Sequence, residues 1–239
     1  NSNGRFSYAS LSLRQALANS VNSVSAFIIK QVAANSVVDY AHKVGITSPL
    51  EAKPSLCLGI SDVSVYEMVG AYSTFANGGS HTTPLAVLRI EDRYGNLLQE
   101  FFPKTNQQIS ANMAYNMLYL MRGAVEGGTS QSLGRFGVTA GNEIAAKTET
   151  TQNQSDGWFM GITQNLVTGV WVGGEDRSIH FRSLALGQGA RTALPAWGMY
   201  MQKVYADPLL TNYGKVPFRK PENFFLDCGG EDYSGDDTY

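Results

Sequence analysis

Two short segments of this 239-residue chain carry side chains whose types and spacing could serve nucleophilic or proton-transfer chemistry. The segment Ser20-Val21-Asn22 places a hydroxyl two positions before a carboxamide, and Lys147-Thr148-Glu149-Thr150-Thr151 places an ammonium beside alternating hydroxyls. A lysine held near a hydroxyl can activate a nucleophile when desolvation or neighbouring cations lower its pKa. Each segment alone also fits an ordinary role, as a helix cap or as a solvated sheet face.

The first segment interrupts a helical pattern. Apolar residues recur every three or four positions between residues 12 and 32, which predicts a helix. The polar run from Asn19 to Ser23 is expected to split this helix in two with a tight join. A further helix is predicted to begin at Ser36, with Asp39 as its capping partner, and to end at Gly45.

Two more helices and a hairpin lie between the two segments. One helix is predicted to open at Ser64, with Glu67 as its capping partner, and to end at Gly78. Another is predicted between Ser110 and Gly127. Residues 85–102 read as two short apolar strands around a turn, which is typical of a surface hairpin.

The second segment opens a region rich in strand signals. Residues 142–151, 157–163 and 166–173 are three strand candidates joined by short polar turns. Such short connections cannot return a parallel strand, so the pattern predicts an antiparallel meander. A closing helix is predicted from Pro195 to Ala206. Helices followed by an antiparallel sheet indicate an α+β fold, with the sheet packed against a helical subdomain.

Composition narrows the function classes. A net charge of −2 gives no basis for nucleic acid or an anionic membrane surface as a partner, and no run of eighteen apolar residues exists. His42, His81 and His180 are isolated from one another and from carboxylate clusters, so no base, metal site or cofactor is predicted there. Cys57 and Cys228 could pair if folding brings them together, or could remain free thiols.

The flanks of the two segments resemble a known family. The run Leu13–Asn22 resembles the segment that bears the second motif of class A penicillin-binding proteins, and Ala71–Gly79 resembles their stretch between the second and third motifs. Residues 147–161 resemble the third-motif strand and the strand after it, and residues 169–173 resemble the next strand. The four segments stand in the family's order, and the resemblance covers about residues 8–206.

The resemblance implies a penicillin-binding serine-transpeptidase fold that is incomplete at its N-terminus. Its partial transpeptidase domain would span residues 1–206, with the helical part at about 8–130 and the sheet and closing helix at about 138–206. Residues 207–239 would form a C-terminal extension with an acidic tail. In this family the serine of a Ser-x-x-Lys motif is acylated by a stem peptide, and a second peptide's amine takes the acyl group, which cross-links peptidoglycan.

Roles for individual residues follow from the same resemblance. Ser20 would relay a proton to the leaving amine, Asn22 would hold the substrate amide, and Lys147 would supply positive field. Thr148 and Thr150 would bind the donor's terminal carboxylate, and the backbone N–H of Thr150 would contribute to the oxyanion hole. The implied partners are stem peptides and β-lactams. The implied location is the periplasmic face of the cell envelope, with a membrane anchor in a segment absent here.

The chain departs from the family pattern twice. No lysine has a serine three residues before it, so the nucleophile is not in this chain and is expected in a missing upstream segment or a companion chain. Glu149 stands where the family has glycine. It shares a strand face with Lys147, and we expect it to pair with that lysine and weaken its positive field.

The leading prediction is therefore a peptidoglycan D,D-transpeptidase domain that is inactive as this isolated chain. Glu149 favours an alternative, a degenerate non-catalytic domain that binds stem peptide or a partner protein. A serine β-lactamase or penicillin sensor would share the fold, but these proteins usually lack a segment like Ala71–Gly79.

Overall fold

The computed structural model describes residues 10–225 of the chain. Helices dominate the first half, and a small antiparallel sheet follows. Within the described residues the structure contains seven α-helices: α1 (Leu13–Ala18), α2 (Asn22–Val32), α3 (Ala34–Lys43), α4 (Val65–Ala76), α5 (Ala111–Glu126), α6 (Leu184–Gly187) and α7 (Ala193–Ala206). The described strands are β1 (Ser80–Thr82), β2 (Arg89–Glu91), β3 (Leu97–Glu100), β4 (Thr105–Gln107), β5 (Ala145–Thr150), β6 (Asp156–Ile162) and β7 (Val167–Gly173).

The predicted split of the first helix is confirmed. Helix α1 ends at Ala18, and α2 begins at Asn22 after a one-residue reversal at Ser20, whose φ is +51°. The backbone N–H of Val21 donates to the carbonyl of Ala16 at 2.9 Å, which closes the end of α1. The polar run therefore ends one helix and starts the next.

The predicted start of the third helix is wrong by two residues. Helix α3 begins at Ala34, because Ala33 reverses the chain with a φ of +67° directly after the end of α2. Ser36 consequently lies inside the first turn and does not cap the helix. By contrast, the predicted cap of α4 is confirmed, since the hydroxyl of Ser64 accepts the backbone N–H of Glu67 and the Glu67 carboxylate accepts the backbone N–H of Ser64.

The predicted meander is confirmed. Strands β5, β6 and β7 pair antiparallel in that order, so β5 lies at one edge of this three-stranded sheet. Helix α7 covers one face, where the tilted rings of Phe159 and Trp197 pack with centroids 5.2 Å apart in the main core. Helices α4 and α5 cover the other face. Helix α7 begins two residues before Pro195, at Ala193.

The predicted hairpin is present, although its paired strands are short. Strands β2 and β3 pair antiparallel with a bulge, and the side chains of both strands are exposed. The structure also contains a second ribbon that was not predicted, in which β1 pairs with β4 and ties the base of the hairpin to α4.

The chain after α7 continues along the domain. Phe218 is buried in a core cluster with Leu118, Met121 and Ile162. The predicted acidic tail lies outside the described residues, as does Cys228, while Cys57 is half-buried in a short 3₁₀ helix. No helix within residues 10–225 has both the length and the apolar character needed to cross a membrane.

Candidate active site

Ser20 and Lys147 meet at the junction between the helical part and the sheet. The Nζ atom of Lys147 donates to the Oγ atom of Ser20 at 2.9 Å. An ammonium has three donors and no acceptor, so Ser20 is the acceptor and its own hydroxyl hydrogen is free for a third group. The Lys147 side chain is 19% exposed and also donates to the carbonyl of Thr148.

Ser20 is held in position by the packing of α1 on α5. Gly128, just after α5, passes so close to Ala18 that a Cβ atom there would come within 2.2 Å of the Ala18 carbonyl oxygen. That carbonyl accepts the backbone N–H of Thr129 at 3.0 Å. The end of α1 is therefore fixed against the loop that follows α5.

Thr148 and Thr150 share the face of β5 that looks toward α7, as their alternation predicts. The Thr148 hydroxyl is buried and lies 2.9 Å from the Thr129 hydroxyl. The Thr150 hydroxyl accepts the backbone N–H of Gly189 at 3.0 Å, which leaves its hydrogen available as a donor. Because β5 is an edge strand, a ligand lying along its edge could reach groups on both faces.

Asn22 stands apart from this cluster. It is the first residue of α2, and its side chain is exposed to solvent. The structure thus brings Ser20 and Lys147 into direct contact, whereas Asn22 is near Ser20 only in that it follows it by two positions in the sequence.

Glu149 is the neighbour of Lys147 on the groove side of β5. Its Oε2 atom lies 3.4 Å from the Lys147 Nζ atom, so the predicted pairing is present. Its Oε1 atom accepts the backbone N–H of Thr150 at 3.0 Å. The side chain is 53% exposed, so water screens this pair and its contribution to stability is small.

A groove of about 680 Å³ runs from this cluster between the helical part and the sheet. Lys147 and Glu149 lie in its wall, and the rest of the lining is largely apolar. Tyr72 of α4 also lines the groove, and burial together with the negative charge of Glu149 raises the pKa of its phenol to about 12. The apolar residues that line the groove include Val37, Ile46, Leu50, Val65, Met68, Trp158 and Met160.

Comparison with known proteins decides the family. Residues 2–174 match the family model described as the penicillin binding protein transpeptidase domain. This chain belongs to that family.

Curated relatives of this transpeptidase-domain chain are penicillin-binding proteins 1A. The protein of Neisseria meningitidis serogroup B is 34% identical over 208 residues, which are 84% of this chain and 25% of the relative. The protein of Aquifex aeolicus is 32% identical over 197 residues, or 82% of this chain and 26% of the relative. The chain therefore spans about a quarter of the length of the curated relatives it matches.

Solved structures confirm the predicted penicillin-binding transpeptidase fold. Penicillin-binding protein 1A from Haemophilus influenzae aligns with a TM-score of 0.75 and 25% identity, covering 88% of this chain and 35% of that one. PonA1 of Mycobacterium tuberculosis, solved in complex with penicillin V, aligns with a TM-score of 0.74 over 94% of this chain and 62% of that one. At 23% identity, the second likeness shows the fold alone.

Two residues that hold the threonines of β5, Thr129 and Gly189, were not predicted as part of the site. Thr129 follows the Gly127-Gly128 pair that the sequence marks as a helix end, but nothing in that pattern indicates a partner on a distant strand. Gly189 lies in a loop with no periodic signal. These contacts are long-range, so only the folded chain reveals them.

Proposed function

We propose that this chain supplies the proton-transfer and donor-binding groups of a peptidoglycan D,D-transpeptidase, a serine acyl transferase of the cell envelope. The observation that carries the proposal is the 2.9 Å contact between Lys147 Nζ and Ser20 Oγ. It joins two motif residues from different parts of the fold in a partly buried site. The family match over residues 2–174 supports the same activity.

In the proposed acylation, a serine hydroxyl adds to the carbonyl of the donor's penultimate D-alanine. The C–N bond to the terminal D-alanine breaks, and the departing amine takes a proton from the Ser20 hydroxyl. The proton released by the attacking serine then restores the Ser20 hydroxyl. Lys147 orients Ser20 for this step, because its ammonium occupies a lone pair of the Ser20 oxygen. A β-lactam would acylate the same serine as its ring C–N bond breaks and the ring nitrogen takes the proton.

The acyl group would then pass to the amine of a second stem peptide. That amine adds to the ester carbonyl and loses a proton, and the ester C–O bond breaks to return a serine hydroxyl. Ser20 can carry the proton in this direction too, since the step reverses the roles of the first.

The proposed donor site lies along the edge of β5. The Thr150 hydroxyl retains a hydrogen to donate, and the largely buried Lys147 supplies a positive charge, so both suit a terminal carboxylate. The backbone N–H of Thr150 would face the oxyanion. Thr148, whose hydroxyl donates to Thr129, would hold the strand edge in place for this site. Asn22, at the exposed start of α2, would hold the donor's amide.

The serine nucleophile would come from a segment outside these 239 residues. The groove beside Lys147 gives such a segment a place to pack, because its lining is largely apolar and Lys147 and Glu149 lie in its wall. Relatives about four times as long as the matched region have room for such a segment and for a membrane anchor. The site would face the periplasm.

Covalent labelling tests the proposal. In the natural polypeptide that contains this chain, a fluorescent penicillin should label one serine. Lys147→Ala and Ser20→Ala should each slow labelling about 100-fold or more. Lys53→Ala is a matched control, because Lys53 is exposed and pairs only with its neighbour Glu51 among the described ion pairs. Unchanged labelling in Lys147→Ala would contradict the proposal.

A second candidate is a non-catalytic domain that binds stem peptide or a partner protein. The contact of Glu149 with both Lys147 and the Thr150 N–H favours it, since it occupies groups that an acyl transferase needs. This candidate predicts that the natural polypeptide binds penicillin reversibly, without covalent label in any variant.

A further inference from the structure

The carboxylate of Glu149 contacts two groups that the proposed function reserves for the substrate. Its Oε1 atom accepts the backbone N–H of Thr150 at 3.0 Å. Its Oε2 atom lies 3.4 Å from the ammonium of Lys147. One carboxylate oxygen of Glu149 therefore lies against the backbone N–H of Thr150, and the other lies near the ammonium of Lys147.

A carboxylate on these groups imitates what a substrate would place there. The Thr150 N–H would stabilise an oxyanion during acyl transfer, and a carboxylate oxygen carries the same kind of charge at the same hydrogen-bond distance. The Lys147 ammonium would attract the donor's terminal carboxylate, and the Glu149 charge offsets that attraction. A substrate must displace this internal anion before it can use either group.

Displacement is feasible because Glu149 is half-exposed. With 53% of the side chain in contact with water, it can rotate into solvent at little cost. Arg177, the other cation in the groove lining, pairs with Asp62 at 2.7 Å. Among the lining residues, Lys147 is thus the cation that holds Glu149 at the site.

We propose that Glu149 is an internal competitor that occupies the oxyanion donor and the carboxylate-binding lysine, and so slows acylation without abolishing it. This inference rests on the proposed function and goes beyond the loss of positive field at Lys147. A glycine at this position would leave both groups open to the substrate.

The proposal distinguishes charge from occupancy. Glu149→Gln removes the negative charge, but its amide oxygen can still accept the Thr150 N–H. Glu149→Ala removes both the charge and the acceptor. Competition by occupancy therefore predicts that the alanine variant is faster than the glutamine variant, and that both are faster than the wild type.

The test measures the second-order rate constant for acylation of the natural polypeptide by a fluorescent penicillin. Glu149→Ala should raise this constant about tenfold, the value of one exposed charge-assisted hydrogen bond. Glu100→Gln is the matched control, because Glu100 is exposed on β3 outside the groove, and it should leave the constant unchanged. The midpoint of thermal unfolding of each variant, expected within a few degrees of the wild type, shows that the fold is intact.

Three results would count against the inference, each in a distinguishable way. If the wild type and Glu149→Ala are labelled at the same rate, Glu149 is not a competitor, while the proposed transpeptidase chemistry stands. If neither is labelled, although both are folded, the inference and the proposed function fail together. Equal gains in the glutamine and alanine variants would assign the whole effect to charge and reject occupancy of the Thr150 N–H.

Discussion

The Nζ atom of Lys147 lies 2.9 Å from the Oγ atom of Ser20, although the two residues are 127 positions apart in the chain. The contact crosses from the strand β5 to the turn between α1 and α2. Its geometry therefore depends on the backbone of that turn and on the packing of α1. Substitutions in the turn and at the contact of α1 with α5 separate these contributions.

The backbone of Ser20 is itself strained. Its φ of +51° lies in the left-handed region, which costs a residue with a side chain about 1 kcal/mol relative to glycine. Ser20→Gly should therefore have a free energy of unfolding about 1 kcal/mol higher than Ser20→Ala, whereas both should lose penicillin acylation. Denaturant unfolding and covalent labelling of the two variants measure the two effects. Equal stability of the variants would show that the turn is not strained.

Close approach of Gly128 to α1 sets the position of Ser20. A Cβ atom at Gly128 would lie 2.2 Å from the Ala18 carbonyl oxygen, so Gly128→Ala must push α1 away from α5. We expect a loss of about 2–3 kcal/mol in the free energy of unfolding, together with slower acylation. Gly127→Ala is the matched control, since a Cβ atom there meets nothing within 4 Å. A similar loss in both variants would contradict this explanation.

How much of this arrangement could be predicted from the sequence depends on the range of the interaction. The α4 cap and the β5–β7 meander follow from local signals, a Ser-x-x-Glu box and short polar turns, and both are confirmed. The start of α3 could not be predicted, because a left-handed alanine at position 33 contradicts local preference.

In the site, too, local signals in the sequence predict some features and not others. Family resemblance predicted that Ser20 and Lys147 belong to the site and that Glu149 departs from the family pattern. Alternation along a strand predicted that Lys147 and Glu149 share a face. The contact of Glu149 with the Thr150 N–H depends on a side-chain rotamer. The Thr129–Thr148 pair depends on the loop after α5 meeting strand β5 in space. Neither leaves a pattern in the sequence.

The Thr129 hydroxyl fixes Thr148, and we predict that it positions the strand edge for donor binding. Thr129→Val keeps the shape of the side chain but leaves the buried Thr148 hydroxyl without this partner at 2.9 Å. Penicillin affinity before acylation should fall several-fold, with a smaller change in the acylation rate constant, and Thr129→Ser should restore it. Stopped-flow labelling over a range of penicillin concentrations separates the two constants. A valine variant with unchanged affinity would show that the hydroxyl pair is only structural.

Glu67 should control the acid stability of the helical part. This buried carboxylate accepts hydrogen bonds from the backbone and hydroxyl groups of Thr47, Ser48 and Ser64 at 2.6–2.9 Å. These bonds, led by the backbone N–H of Ser64, hold the pKa of Glu67 well below its usual value of 4.5. The unfolded chain therefore takes up the proton first as the pH falls. The contribution of the Glu67 carboxylate to the free energy of unfolding is therefore complete above about pH 5 and declines below that pH.

Glu67→Gln tests this expectation, because it keeps the shape of the side chain and removes the titration. At pH 7 we expect a loss of about 2–3 kcal/mol in the free energy of unfolding, since several buried N–H and O–H donors lose a charged acceptor. Between pH 5 and pH 3 the variant should lose less stability than the wild type, so the two curves of unfolding free energy against pH should converge. Glu91→Gln, at an exposed position on β2, is the control and should follow the wild type. Parallel curves for Glu67→Gln and the wild type would show that this carboxylate does not carry the acid sensitivity.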